Sequence, residues 1–364
     1  MKIIRGLDTL LRQQRNGGLG CALTIGNFDG VHRGHQAMLA LLNNEARHRG
    51  VPSCALTFEP HPRDYFAAKF HKPELAPARI ATLRDKLSEL ARCGVEQCVV
   101  LPFNDRLANM PAADFIGQVL VGALGARYVL VGDDFKFGAQ RQGDYRLLDE
   151  AGARQGFDVA RMMSYEVHGL RVSSSAVRDA LGQGRMADVA ALLGRPYSIS
   201  GHVVHGRKLG RELGASQPGA GDGFRTLNLR FSHWKPAASG IFVVQVHGLS
   251  HDPNATPLPG VANLGVRPSL DPDDVNGGRV LLETHCLDWP APGTNPAAGA
   301  EAYGKIIRVD LLHKLHDELK YDSLETLTRG ISQDCDDARA YFAQHQGDLA
   351  AHAAQRRQTT RDRI

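Results

Sequence analysis

Between residue 20 and about residue 163, short unbroken apolar runs alternate with longer stretches whose apolar positions return every three or four residues. Ala22-Leu23-Thr24-Ile25, Cys54-Ala55-Leu56-Thr57-Phe58, Cys98-Val99-Val100-Leu101 and Tyr128-Val129-Leu130-Val131 show no polar face. A short run of that kind reads as a strand covered on both sides, as in a parallel sheet. Over 79–92, Ile80, Leu83, Leu87 and Leu90 share one helical face. This alternation predicts a doubly wound α/β sheet, whose ligands bind where strands run out into loops.

After about residue 185 the pattern changes. A helical stretch through Leu192-Leu193 ends at Gly194-Arg195-Pro196, where proline disfavours helix before it and glycine suits a C-terminal cap; the linker is placed there. Five β-rich runs follow at 197–204, 226–231, 240–246, 279–285 and 305–312, separated by turn-forming residues, and predict a small antiparallel barrel. From Ser323 to about Ala343, Leu324, Leu327 and Ile331 recur at helical spacing, and this helix is expected to pack on the barrel. The expected division is 1–186, 187–343 and a solvated, Gln- and Arg-rich tail over 344–364.

The 364 residues are about 2.4 times the roughly 150 expected per domain, in keeping with two cores. With 43% hydrophobic and 23% charged residues and no apolar run near the length of a membrane span, a soluble folded chain without a membrane partner is expected. The net charge of +4 (43 basic against 39 acidic residues) is spread out, unlike the basic tract of a nucleic-acid binder, yet compatible with small anionic ligands. Six scattered cysteines (Cys21, Cys54, Cys93, Cys98, Cys286 and Cys335) lack the paired spacing of a zinc site and suit a reduced, cytoplasmic protein. The run Met1 to Gly6 carries no secretory pattern.

Candidate chemistry begins at the end of the first apolar run, in Gly26-Asn27-Phe28-Asp29-Gly30-Val31-His32-Arg33-Gly34-His35. Its glycines allow close backbone approach, and the helix start that follows offers unpaired N–H groups to an anion. His32 and His35, on the first turn, can donate hydrogen bonds to phosphate oxygens as charge builds during phosphoryl transfer. The same run also reads as a glycine-rich turn with incidental histidines. Val131-Gly132-Asp133-Asp134-Phe135-Lys136-Phe137-Gly138 leaves another strand at the same edge, and Ser173-Ser174-Ser175-Ala176-Val177-Arg178 opens a helix. Serine there can cap the helix or bind phosphate, and Arg178 can make a paired phosphate contact or sit on the surface.

In combination these runs resemble the adenylyl and cytidylyl transferases of the nucleotidyltransferase superfamily. More narrowly, they and Thr57-Phe58-Glu59-Pro60-His61-Pro62 are similar to the N-terminal half of the bacterial bifunctional riboflavin kinase/FAD synthetase family. The resemblance implies a Rossmann-like nucleotidyltransferase domain in which FMN phosphate attacks the α-phosphorus of ATP, giving FAD and pyrophosphate. It implies that His32 and His35 stabilise the transferred group, that Gly26, Asn27, Phe28, Asp29 and Gly34 shape the ATP site, and that Ser174 and Arg178 hold the outgoing phosphates. Phe58, Pro60, His61 and Asp134 would line the flavin side, with Phe58 also open to a packing role.

The run Gly201 to Gly214 resembles the entry to the riboflavin kinase barrel of the same family, implying a six-stranded antiparallel barrel with a C-terminal helix. Gly206, Lys208, Gly210, Thr226 and Asn228 are then expected at ATP, with Thr226 and Asn228 at Mg²⁺. The family's Gly-x-Pro-Thr-x-Asn run is interrupted here: eleven residues, 215–225, precede Thr226, and Arg225 stands where the proline would be. Thr226 and Asn228 still alternate onto one strand face. Val261-Ala262-Asn263-Leu264-Gly265-Val266-Arg267-Pro268 and Leu282-Glu283-Thr284-His285 continue the likeness, with Asn263 and Arg267 implied at the flavin and Glu283 as the base for the ribityl hydroxyl. His316 replaces an arginine common in the family. The implied cycle takes riboflavin to FMN and FMN to FAD with Mg²⁺ and ATP, in a monomer or weak homo-oligomer. A narrower alternative retains only adenylyl transfer, with the barrel as a non-catalytic flavin-binding module.

Overall fold

The computed structural model describes residues 1–15, 20–167, 169–204, 226–230, 235–250, 252, 255–266, 280–287 and 302–345. Two compact units emerge: Met1–Asp179 with Ala191–Arg195, and Ala180–Ala190 with Pro196–Ile364.

The first unit holds a six-stranded parallel sheet in the order β1-β4-β3-β2-β5-β6, built from β1 Lys2–Arg5, β2 Cys21–Ile25, β3 Ser53–Glu59, β4 Gln97–Pro102, β5 Ala126–Gly132 and β6 Asp158–Met162. The four apolar runs become the four central strands, and β2 is buried at every position. Alternate side chains enter two cores, one under Leu39, Leu42 and Leu90 and the other under Phe115, Val119 and Leu120. Helices α1 Leu7–Arg15, α2 Arg33–Arg49, α3 Pro62–Lys69, α4 Leu83–Arg92 and α5 Tyr145–Gln155 accompany a π-helical stretch at Phe115–Ala123. The hairpin β7 Glu166–Val167 and β8 Leu170–Arg171 precedes α6 Ser174–Gly182 and α7 Met186–Leu193.

One expected boundary is corrected. The helix predicted over 79–92 starts at Leu83, because Thr82 caps it by accepting from the Asp85 N–H, and Ile80 donates its own N–H to Asp29 instead. The edge strands β1 and β6 were not foreseen. In β1 only Ile4 is buried, while Ile3 is exposed, so neither a continuous nor an amphipathic pattern is visible. The strand order places β3 and β4 on one side of β2 and β5 and β6 on the other, so the chain reverses direction between β2 and β5. Loops at such a switch point form the ligand crevice of doubly wound sheets.

In the second unit, β9 Tyr197–Val204, β10 Thr226–Arg230, β11 Gly240–His247, β12 Leu258–Val266, β13 Val280–Cys286 and β14 Ile306–His316 close a barrel in the order β10-β13-β12-β11-β14-β9, every pairing antiparallel. The sixth strand, β12, lay outside the five runs read as strands, because Pro259 and Gly260 interrupt its start. Leu227, Leu229, Phe242, Leu264 and Leu282 fill the core. Helix α8 Leu324–Gln344 starts at a capping box on Ser323 and packs Cys335 and Ala338 against Val243 and Val261.

Candidate active sites

The loop after β2 enters α2 with His32 as its N-cap: Nδ1 accepts the His35 N–H at 3.3 Å, so the neutral ring carries its proton on Nε2. The two imidazoles stack with centroids 3.7 Å apart. Burial pulls the His32 pKa down to about 4, and burial with the neighbouring His32 and Lys86 holds His35 well below the ordinary value. Both are neutral at physiological pH and can offer a hydrogen bond but not a positive charge. His35 Nδ1 is buried without a hydrogen-bond partner.

Phe28 and Val31 adopt left-handed φ of 48° and 41°, a strain that surrounding bonds must hold. Gln36 donates to the Val31 carbonyl at 2.9 Å, and Arg195 Nη2 to that of Gly30 at 2.7 Å. Arg195, read above only as part of a linker, thus clamps the loop; a lone charged residue beside Pro196 gives no sign of this. At Gly30 a Cβ would stand 2.8 Å from Ile80 Cγ2, so glycine lets the segment before α4 close on the loop.

Several expected nucleotide contacts are turned inward. Phe28 is buried, its ring edge-on to His35 at 5.1 Å, so it supports the histidine from the core instead of facing ATP. Asp29 is fully buried and accepts from the N–H groups of Ile80 and Ala81 at 3.2 and 3.1 Å and from Arg178 Nη2 at 2.7 Å. Burial raises its pKa, but Arg79, Arg178 and the Ala81 N–H outweigh that and hold it low. Asp29 is therefore an anchor of the loop. Arg178, expected on phosphate, also donates to the Ala78 carbonyl at 2.6 Å. Ser174 Oγ donates to the Asp29 carbonyl at 3.1 Å, and the serine that accepts the capping bond, from the Ala176 N–H, is Ser173. Gly26, Asn27 and Gly34 stay in the loop and first helical turn, with the Asn27 carbonyl accepting from Thr57 Oγ1.

On the intended flavin side, Phe58 is half-buried and meets Phe103 edge-on at 5.8 Å. Pro60 follows a cis peptide, and His61 caps α3 by accepting the Arg63 N–H at 3.1 Å. Burial, then the charge of Arg79, lowers the His61 pKa to about 3. Asp134 stands exposed after β5, 4.0 Å from Arg171. Two buried cations escaped the sequence reading: Arg79, and Lys86, whose Nζ approaches Thr57 Oγ1 at 3.5 Å. Burial and then Arg79 lower the Lys86 pKa.

In the barrel, register makes the second constellation. Asn228 on β10 pairs with Glu283 on β13, which pairs with Asn263 on β12. Directly paired residues project to one face with Cβ atoms roughly 5 Å apart, so the three side chains form one rung. Thr226, paired with His285, stands on the next rung of that face. The intervening Leu227, Leu282 and Thr284 are buried on the opposite, core face. Asn228 Oδ1 and Asn263 Oδ1, flanking the carboxylate, are buried without hydrogen-bond partners. Gly206, Lys208, Gly210, Arg267 and the segment 215–225 lie outside the described residues. His316 is engaged at both nitrogens, by the Asp317 carbonyl at 2.7 Å and Asp334 at 2.8 Å. Burial lowers its pKa, but these bonds outweigh burial and raise it.

The family described as FAD synthetase matches residues 15–176, and that described as riboflavin kinase matches residues 193–342. A bifunctional riboflavin kinase/FMN adenylyltransferase from Escherichia coli (strain K12) is 41% identical, covering 94% of this chain and 98% of its own length. Its namesake in Pseudomonas fluorescens is 40% identical with the same coverage. A solved Streptococcus pneumoniae chain described as a macrolide-efflux protein superposes with a TM-score of 0.68 at 24% identity, over 93% of this chain and 99% of that one, which shows a shared fold alone. Among the described residues, no helix is long and apolar enough to cross a membrane.

Proposed function

Because the chain belongs to the bifunctional riboflavin kinase/FMN adenylyltransferase family, and so phosphorylates riboflavin to FMN with ATP and adenylylates FMN to FAD, we propose how its residues divide the two reactions. The narrower reading, adenylyl transfer alone with a non-catalytic barrel, is set aside, since the relatives carry both activities in their names.

Adenylyl transfer is assigned to residues 1–186. The FMN phosphate oxygen bonds to the α-phosphorus of ATP as the bond to pyrophosphate breaks, with no covalent enzyme intermediate. His32 donates from Nε2 to the phosphoryl oxygens, and the stacked His35 adds a second neutral donor, at the switch point where the loops after β2 and β5 meet. Gly26, Asn27 and Gly34 line the nucleotide side, with Ser174 and Arg178 beside the outgoing phosphates. Phe58, Pro60, His61 and Asp134 form the flavin side. Neutral donors suit a site that must release polyanionic products.

Phosphorylation of riboflavin is assigned to residues 187–343. Glu283 accepts the proton of the terminal ribityl hydroxyl as its oxygen attacks the γ-phosphorus of ATP and ADP leaves. The rung Asn228-Glu283-Asn263 is the observation that carries this reading, because its two orphaned amide oxygens await partners beside the carboxylate. Hard oxygen donors fit Mg²⁺: Thr226 and Asn228 would hold it, and when bound it offsets triphosphate charge. Asn263 is assigned to the flavin. Six free cysteines, five of them buried, support a reducing, cytoplasmic setting.

The test is a product assay on intact chains, resolving riboflavin, FMN and FAD. Glu283→Gln should cut FMN formation by roughly 10²–10⁴-fold while FMN supplied directly still gives FAD. His35→Ala should cut FAD formation by ~10²-fold and spare FMN formation. Equal loss of both activities in a folded variant would overturn the division.

A further inference from the structure

Arg79 lies just before α4 and is only 2% exposed. Nη1 meets Asp64 Oδ2 on α3 at 2.7 Å, whereas Nε stops 3.8 Å from Asp29 Oδ1 and Nη2 stops 3.9 Å from Glu59 Oε2. Both longer gaps exceed hydrogen-bonding reach, and Nε, Nη2 and Glu59 Oε2 are all buried with no hydrogen-bond partner. Buried charged groups held just short of contact are costly, and a displacement of about 1 Å would satisfy all of them.

The three carboxylates around this guanidinium belong to different parts of the proposed adenylyl-transfer site. Asp29 sits in the loop of His32 and receives Arg178. Glu59 immediately precedes Pro60 and His61, and Asp64 lies in the first turn of the helix that His61 caps. One side chain therefore spans the nucleotide side and the flavin side. We propose that Arg79 is a positioning residue that couples the two substrates: seating one draws Glu59 and Asp29 onto its unused N–H groups, which sets the other side for binding. Asp64 is the fixed hinge, already bonded. This inference rests on the assignment of adenylyl transfer to the first unit.

The test uses the full chain and initial rates of FAD formation with FMN and ATP varied together, so that binding of FMN elsewhere does not enter. The wild type should show KM for FMN falling roughly tenfold between low and saturating ATP. In Arg79→Met that dependence should disappear, with KM for FMN constant within about twofold, and Arg79→Lys should not restore it, because an ammonium cannot serve three carboxylates as a fork does. Glu59→Gln should weaken the dependence too; it also removes the charge that faces Arg79 and Lys86, so its thermal midpoint should fall, and the KM ratio is the deciding readout. A merely structural role would lower the active fraction and leave the KM ratio untouched. An ATP-independent KM for FMN in the wild type, or an unchanged ratio in Arg79→Met and Glu59→Gln, overturns the proposal. Full FAD formation by His35→Ala would instead overturn the site assignment beneath it, so the two failures are distinguishable.

Discussion

At the scale of single residues, burial sets the protonation of the first site. His61 and His32 are held to about 3 and about 4, against an ordinary value of 6.5. A group whose folded pKa is depressed binds fewer protons than in the unfolded chain between those values. Its stabilising effect is complete above about pH 6.5 and is lost as pH falls toward 4. The thermal stability of the first unit should therefore fall steeply between pH 6.5 and 5. His61→Asn keeps a capping acceptor for the Arg63 N–H and removes one proton acceptor, so its melting temperature should fall less over that interval. An unaltered slope would mean that His61 is not among the groups that take up protons on unfolding.

At the scale of elements, the tie between β14 and α8 titrates in the opposite sense. His316 gains the Asp317 carbonyl and the Asp334 carboxylate, which raise its pKa, so its contribution is complete below about pH 6.5 and is lost as pH rises through the folded value. Asp334→Asn should cost about 1 kcal/mol at pH 6, and the gap from the wild type should close toward pH 9 as both rings become neutral. Elements also show what was readable in advance. The four central strands were legible because they are apolar on both faces, and the shared strand face of Thr226 and Asn228 was legible from their alternation, whereas the register that pairs Asn228 with Glu283 and Glu283 with Asn263 follows only from the closed barrel. The start of α4 was misread because Ile80 fits the helical face by spacing, while its backbone is claimed by Asp29, a partner 51 residues away in the chain. Strand β12 was hidden by its proline and glycine. Arg79, Lys86 and Arg195 carry no periodic signal at all: each matters through where folding puts a charge, and that follows only from tertiary contacts. Asp29, conversely, was found by motif, but a motif marks a position without saying which way the side chain turns, and its inward, loop-anchoring bonds appear only in the fold.

At the scale of the whole molecule, the proposed division puts two reactions that share one intermediate in separate units, each with its own phosphoryl-transfer chemistry. FMN carries a phosphate and a hydroxylated chain, so it is soluble enough to leave one site and reach another molecule's. On the proposed assignments, Glu283→Gln should make FMN roughly 10²–10⁴-fold more slowly yet still adenylylate it, and His35→Ala should make FMN but adenylylate it ~10²-fold more slowly. Given riboflavin and Mg-ATP, either variant alone should yield FAD only at those reduced rates. Their equimolar mixture should yield it faster, after a lag that shortens as enzyme concentration rises, because the intermediate must accumulate in solution before the second site is occupied. The lag should vanish when FMN is added at the start. FMN accumulating in the mixture without FAD, at any enzyme concentration, would mean that adenylyl transfer accepts only FMN formed on the same chain, and the two units would then have to be treated as one catalytic device.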